Sequence, residues 1–204
     1  MSQTNLFNEN AYPIDFKFKI GTLHNDFTAT DSLGNTLAYV KQKMFKLKEH
    51  VEVFEDTTQL NLKYDIRADK WLDFNTCYSF TNKQGEPFGK LLRKGWKSLW
   101  KASYDIYDEN NQPDLHIKEA NPFAKVFDAL LSEIPILGIF TGYIFNPEYH
   151  ITRPDGTLVF KCKKQASFFG RKFQLTNEAL VEPGEEERIL VGLMMMLLLE
   201  RRRG

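Results

Sequence analysis

The residues whose spacing could do chemistry are cationic and aromatic. From Lys90 the chain reads KLLRKGWKSLWK, placing Lys90, Arg93, Lys94, Lys97 and Lys101 beside Trp96 and Trp100 with no acid among them. Basic residues at a membrane surface each attract anionic headgroups by about 1 kcal/mol, and tryptophan settles at the membrane–water interface. This stretch is therefore a candidate contact for anionic phospholipid. Nucleic acid is the less expected ligand, although phosphates and stacked bases suit the same residue types. A third reading makes the tryptophans core anchors and the lysines a solvated face. Basic clusters recur at 41–48 and 161–172, each after a hairpin, and that recurrence favours the third reading. A second segment, Ile134–Phe145, reads IPILGIFTGYIF. Burial as a cap on the fold is expected for it, while contact with a protein partner would use Phe140, Tyr143 and Phe145.

Enzyme chemistry has little to stand on. His24, His50, His116 and His150 are isolated, with no His or Cys at ligand spacing. No glycine-rich phosphate loop and no nucleophile-elbow serine occur. Asp105, Asp108, Asn110 and Asp114 suggest calcium, yet Pro113 stands sixth from Asp108, where a helix–loop–helix calcium site needs glycine. Cys77 and Cys162 read as small residues on strands. The expectation is no catalytic residue, no metal and no cofactor.

The elements that must position these groups are mostly strands. Residues 27–43, 78–94 and 149–165 each give an alternating strand, a polar turn with glycine (Gly34, Gly85, Gly156) and a second strand running into lysines. A fourth hairpin, 104–118, has Asn110-Asn111 in the turn. Further strands are expected at Lys17–Leu23, His50–Phe54, Leu60–Asp65 and Arg171–Leu175. The sum is about ten to twelve, which reads as a barrel or sandwich.

Two helices interrupt this pattern. Asn121-Pro122 caps the first, and Phe123, Val126, Phe127, Leu130, Leu131 and Ile134 form its apolar face until Pro135. The second follows Pro183-Gly184 and reads ILVGLMMMLLL from Ile189 to Leu199, apolar on every side, with Glu185–Glu187 before it and Arg201–Arg203 after it. Eleven helical residues rise about 16 Å, well short of the roughly 30 Å of a bilayer core. A helix apolar all round must be buried all round, and a barrel of about twelve strands is wide enough to hold one. The expected fold is mainly β (α+β): a closed barrel of about twelve strands around a buried apolar C-terminal helix at 185–200, with one extra helix inserted between hairpins. Residues 13–204 form a single domain, with an apolar insertion at 121–149 and a polar tail at 1–12.

Tyr64-Asp65-Ile66-Arg67-Ala68-Asp69, Leu72-Asp73-Phe74, the segment Gly89–Ala102 and the apolar final helix together carry a resemblance. The chain is similar to LURP-one-related proteins, in particular their bacterial branch, within the tubby C-terminal-like superfamily that also holds phospholipid scramblases. The likeness runs from about Pro13 onward. It implies a barrel filled by its last helix and a superfamily of lipid-facing or scaffold proteins. The Asn121–Tyr149 insertion is not part of that superfamily's minimal pattern.

Across the whole chain 27 basic residues balance 27 acidic ones, and 42% of residues are hydrophobic. That composition opposes disorder and excludes nucleic-acid binding through a general positive field. The first thirty residues hold Glu9, Asp15 and Asp26 and no signal-peptide core. The expectation is a cytoplasmic, non-enzymatic binding or scaffold module, peripheral to the membrane where it contacts anionic phospholipid. The alternative is a soluble protein–protein scaffold that uses the 121–149 insertion, and a less expected one is an enzyme with its site at the barrel mouth.

Overall fold

Alternation along each strand decides which side chains meet the core. The computed structural model describes residues 11–21, 25–43, 49–69, 76–94, 103–120, 146–166 and 171–201. Twelve strands run through them: β1 (Ile14–Phe18), β2 (Asp26–Thr30), β3 (Thr36–Gln42), β4 (His50–Phe54), β5 (Leu62–Ala68) and β6 (Thr76–Asn82) form the first half. The second half is β7 (Pro87–Arg93), β8 (Ser103–Tyr107), β9 (Pro113–Glu119), β10 (Glu148–Thr152), β11 (Leu158–Gln165) and β12 (Lys172–Asn177). In β6, Tyr78 and Phe80 are buried while their neighbours Cys77, Ser79 and Thr81 are only half-buried. Each strand pairs antiparallel with its neighbours in the chain, and β1 closes on β12 with Phe16 opposite Phe173. The expected closed barrel is borne out.

The turns explain how consecutive strands fold back. Gly34, Gly85 and Gly156 adopt φ of 87°, 82° and 89°, which glycine reaches without steric cost. In the fourth hairpin Asn111 takes that role at φ 62°. Asp31, Asn82 and Asp108 open their turns by accepting two backbone N–H groups each on Oδ1. A register shift sits just before each of these turns, at Ala29/Thr30, Phe80/Thr81 and Ile106/Tyr107. Such bulges increase local twist and help the sheet curl shut.

Helix α1 (Pro183–Arg201) follows β12. From Ile189 to Glu200 every residue is buried. Its side chains meet groups on β1, β5, β8 and β9 and at the β10–β11 turn. Contacts on strands all round the ring place the helix inside the barrel, as its composition required. It approaches the wall closely at Gly192, where a Cβ would come within 2.7 Å of Ile106 Cδ1. Among the described residues no helix is long and apolar enough to cross a membrane. The expected helix after Asn121 lies outside the described residues, as does the start of the N-terminal tail. Ala11 and Tyr12, at the described end of that tail, pack on the core.

This topology gives the barrel two unlike ends. The β2–β3, β4–β5, β6–β7, β8–β9 and β10–β11 turns share one end, here the turn end, where α1 begins. The odd-to-even connections start from the other, where α1 finishes.

Candidate functional site

Charge separates between the two ends. Exposed acids gather at the turn end: Glu55, Asp56, Glu86, Glu109, Asp155, Glu178 and Glu182, with Lys83 as their exposed cation among the described residues. At the connection end the exposed cations among the described residues are Lys17, Lys19, Arg67, Lys118 and Lys163, with Asp69 as the exposed acid among them. Four other acids at that end, Asp26, Asp105, Glu119 and Glu200, are buried, while Glu49 and Glu148 are half-buried. Helix α1 is aligned with this separation. Its first turn carries Glu185 and Glu186 and its last carries Arg201, matching the partial charges of the helix ends.

Side chains from the wall fix the helix at both ends. Tyr12 donates its hydroxyl to Glu186 and Tyr64 donates its own to Glu187, both at 2.6 Å. Arg153 grips Glu185 through Nε and Nη2, each at 2.7 Å. Arg188 Nε reaches Asp114 at 2.7 Å. At the connection end Tyr104 donates to Glu200 at 2.6 Å. Burial, helped by the neighbouring carboxylate, pushes the Tyr12 and Tyr64 hydroxyls far above their ordinary pKa. They stay protonated and act as donors.

The cluster read from Lys90 to Lys101 is only partly described. Lys90 points toward the turn end, with Nζ 2.5 Å from Asn111 Oδ1 and 5.4 Å from the Tyr107 ring centroid. Lys94, four residues and about 13 Å along the strand direction, pairs with buried Asp105 at 2.6 Å. Asp105 also meets His116 Nδ1 at 2.7 Å. Arg93 lies half-buried between them in sequence, and its Nε has no hydrogen-bond partner among the described residues. Trp96, Lys97, Trp100 and Lys101 lie outside the described residues, as do Phe140, Tyr143 and Phe145. Lys94 is thus at the basic end, whereas Lys90 is committed to a turn at the other.

Three further groups could hold a ligand or do chemistry. His50, Glu52 and Asp65 bring three ligand atoms within 4.8 Å of one another on β4 and β5. Their charge is already answered. Arg67 Nε sits 2.5 Å from Asp65, His50 Nε2 2.6 Å from it, and Lys43 Nζ 2.8 Å from Glu52. Burial would raise the Asp65 pKa, but the hydrogen bonds from Arg67 and His50 outweigh it and lower the net value. Cross-strand ion pairing accounts for this cluster. The thiols are quiet: burial pushes Cys77 up to about 11 and raises fully buried Cys162 further, so neither holds a thiolate at neutral pH. Asp108, considered for calcium, uses Oδ1 to bind the backbone of its own turn.

The third group lines a cavity of about 280 Å³ at the connection end, bounded by Phe18, Lys19, Ile20, Gly21, Arg171 and Arg201. Arg171 Nη1 donates to the Arg201 carbonyl at 2.9 Å, satisfying one of the carbonyls that a helix end leaves open. The Arg201 guanidinium lies 4.8 Å from the Phe18 ring centroid. Sequence reasoning did not assemble this site. Its cations come from three distant places in the chain, and Arg171, in the 161–172 cluster, and Arg201, in the final basic run, stood out only as members of separate basic stretches.

The family model described as LURP-one-related matches residues 36–197 of the chain. No curated protein and no solved structure matches it.

Proposed function

The chain belongs to the LURP-one-related family, and from that premise we propose that it is a non-enzymatic binding module whose basic barrel end contacts anionic phospholipid at a membrane surface. The observation that carries this reading is the segregation of exposed charge. A neutral molecule with acids at one end and cations at the other presents its cationic end to an anionic surface and turns its acids away. Lys17, Lys19, Lys118 and Lys163 are exposed there, and several exposed cations acting together suffice for reversible attachment. Arg93 and Lys94 stand at the same end and supply the start of the basic–aromatic stretch that continues through Trp96, Lys97, Trp100 and Lys101.

Co-sedimentation with vesicles tests the reading. Phosphatidylcholine vesicles containing phosphatidylserine should carry the protein down, and pure phosphatidylcholine should not. Attraction between exposed charges is screened over about 10 Å at 0.1 M salt, so binding should weaken as salt rises. Absence of sedimentation with the acidic vesicles at low salt would overturn it.

A further inference from the structure

Large apolar side chains that reach solvent are not scattered over this barrel. Among the described residues Ile20, Leu33, Leu60, Leu62 and Leu180 are exposed, and all but Ile20 stand at the turn end. We propose that these leucines form a docking surface for a basic amphipathic segment of a partner protein, one with apolar residues along one face and lysines or arginines beside them. This goes beyond membrane contact at the opposite end and does not depend on it.

The leucines share one stretch of the rim. Leu33 stands in the β2–β3 turn, Leu60 and Leu62 at the end of the β4–β5 turn, and Leu180 between β12 and α1. Pairing of β3 with β4 makes the first two turns neighbours, and Lys63 Nζ donates across them to the Leu37 carbonyl at 3.1 Å. Ser32 N–H donates to the Ala11 carbonyl at 3.0 Å, and Tyr12 then reaches Glu186 at the start of α1, which joins the turn of Leu33 to the segment of Leu180. From β12 round to β5 the rim runs about 24 Å at about 4.8 Å per strand, the length of about sixteen helical residues. The backbone beneath is braced. Leu33 N–H is held by Asp31 Oδ1 at 2.9 Å, Gln59 N–H by the Asp56 carbonyl at 3.3 Å, and the Leu180 carbonyl by Arg153 Nη2 at 2.8 Å. Leu33 and Leu180 are 83% and 82% exposed, so neither folds back on the core. A lone surface leucine needs no explanation, but a group of them along one rim marks an interaction site, and its braced turns keep the ordering cost of docking low.

Charge selects the partner. Glu55 and Asp56 stand exposed before Leu60, and Glu178 and Glu182 flank Leu180, exposed as well. Glu178 is paired with Lys161 at 3.2 Å, and Asp56 uses Oδ1 for its own turn. Hydrogen bonds from Thr58 lower the Asp56 pKa, which keeps it ionised at neutral pH. The cations that touch these turns are committed: Lys63 to the Leu37 carbonyl, Lys41 to Gln59 at 2.7 Å, and Arg153 to Glu185 and the Leu180 carbonyl. Lys83, in the β6–β7 turn, lies outside this stretch. Leucines framed by acids are repelled by an anionic bilayer and complement a segment that carries cations beside its apolar residues. An amphipathic helix supplies that arrangement through anchors at i, i+3, i+4 and i+7.

The test uses the full chain and a fluorescent synthetic peptide of about eighteen residues, leucine on one helical face and lysine elsewhere, followed by anisotropy. One comparison peptide has the same composition with leucines spread round the helix, and a second has glutamate in place of lysine. The wild type should bind the first peptide about tenfold more tightly than either comparison. Leu60→Ser and Leu180→Ser should each weaken binding about threefold to fivefold and Glu182→Lys about threefold. Ile20→Ser, the same kind of change at the other end, should leave it as it was. All four positions are exposed, and melting temperatures equal to the wild type show that the variants are folded. No binding, equal binding of the three peptides, or affinity that Leu60→Ser and Leu180→Ser do not lower more than Ile20→Ser overturns the proposal. A fall in vesicle sedimentation with Leu60→Ser and Leu180→Ser also overturns it, because the turn end would then face a membrane. If the wild type binds the first peptide but does not sediment with acidic vesicles, the membrane reading alone fails and the docking surface stands.

Discussion

Glu186 shows how a single carboxylate can tie stability to pH in this barrel. It is buried at the start of α1, and burial raises its pKa above the ordinary 4.5 despite the hydrogen bond from Tyr12. The folded state therefore holds the proton more tightly than the unfolded chain. That contribution is complete below the unfolded value and is lost as pH rises through the raised folded value. Glu186→Gln keeps an acceptor for Tyr12 and carries no charge at any pH. Its melting temperature should exceed that of the wild type at pH 7, and the gap should close as pH falls toward 4.5. A gap of constant size from pH 4 to 7 would contradict the assignment. Asp65 has the opposite sign: its lowered pKa makes a contribution present above the unfolded value and lost as pH falls through the folded one. Sequence singled out neither residue for its titration, because Glu186 sits in an acidic run that serves a helix start and Asp65 stands in a strand motif that marks the family resemblance. Only the tertiary contacts tell Glu186, bonded by Tyr12, from its neighbours Glu185, gripped by Arg153, and Glu187, bonded by Tyr64.

Among the elements, α1 was the most legible and β4–β5 the least. An unbroken apolar run bounded by acids and arginines can be read directly as a buried helix with a favourable dipole. The β4–β5 turn has no glycine at its centre. Gln59 takes φ of 61° there while Asp56 Oδ1 accepts from Thr58, so the two strands were visible but their hairpin was not. Since α1 fills the barrel, truncation before Glu185 should yield an insoluble or non-cooperative chain, and a soluble, cooperatively melting product would show that the wall stands alone. A finer probe is Met195→Ala at a fully buried position. Removing such a side chain should cost about 2–5 kcal/mol, measured by urea denaturation. Gly192 explains why the helix can approach Leu91 and Ile106 on β7 and β8: any larger residue would push against them. Gly89 plays the same part in the wall, where a Cβ would fall 2.8 Å from the Tyr107 carbonyl oxygen.

At the scale of the whole molecule, behind the formal neutrality of 27 bases and 27 acids, the exposed charges among the described residues divide into two ends of opposite character. If the basic end meets the membrane, charge reversals of equal size should have unequal effects. Lys118→Glu and Lys163→Glu, on exposed positions of β9 and β11 flanking β10, should each weaken binding to acidic vesicles about three- to tenfold. Lys83→Glu, in the β6–β7 turn at the opposite end, changes net charge identically and should leave binding as it was. Equal losses in all three would mean that net charge, not its placement, governs attachment. By itself the sequence determined the strand count, the turn chemistry and the buried helix, because period-two alternation, glycine turns and an all-apolar run are local signals that only one architecture satisfies together. The tertiary structure alone decided which charges share an end, which acids are buried, and that Lys19, Arg171 and Arg201 meet in one cavity. Those facts depend on how closure of the barrel brings β1 beside β12 and the end of α1, and such long-range proximity leaves no periodicity for a linear reading to detect.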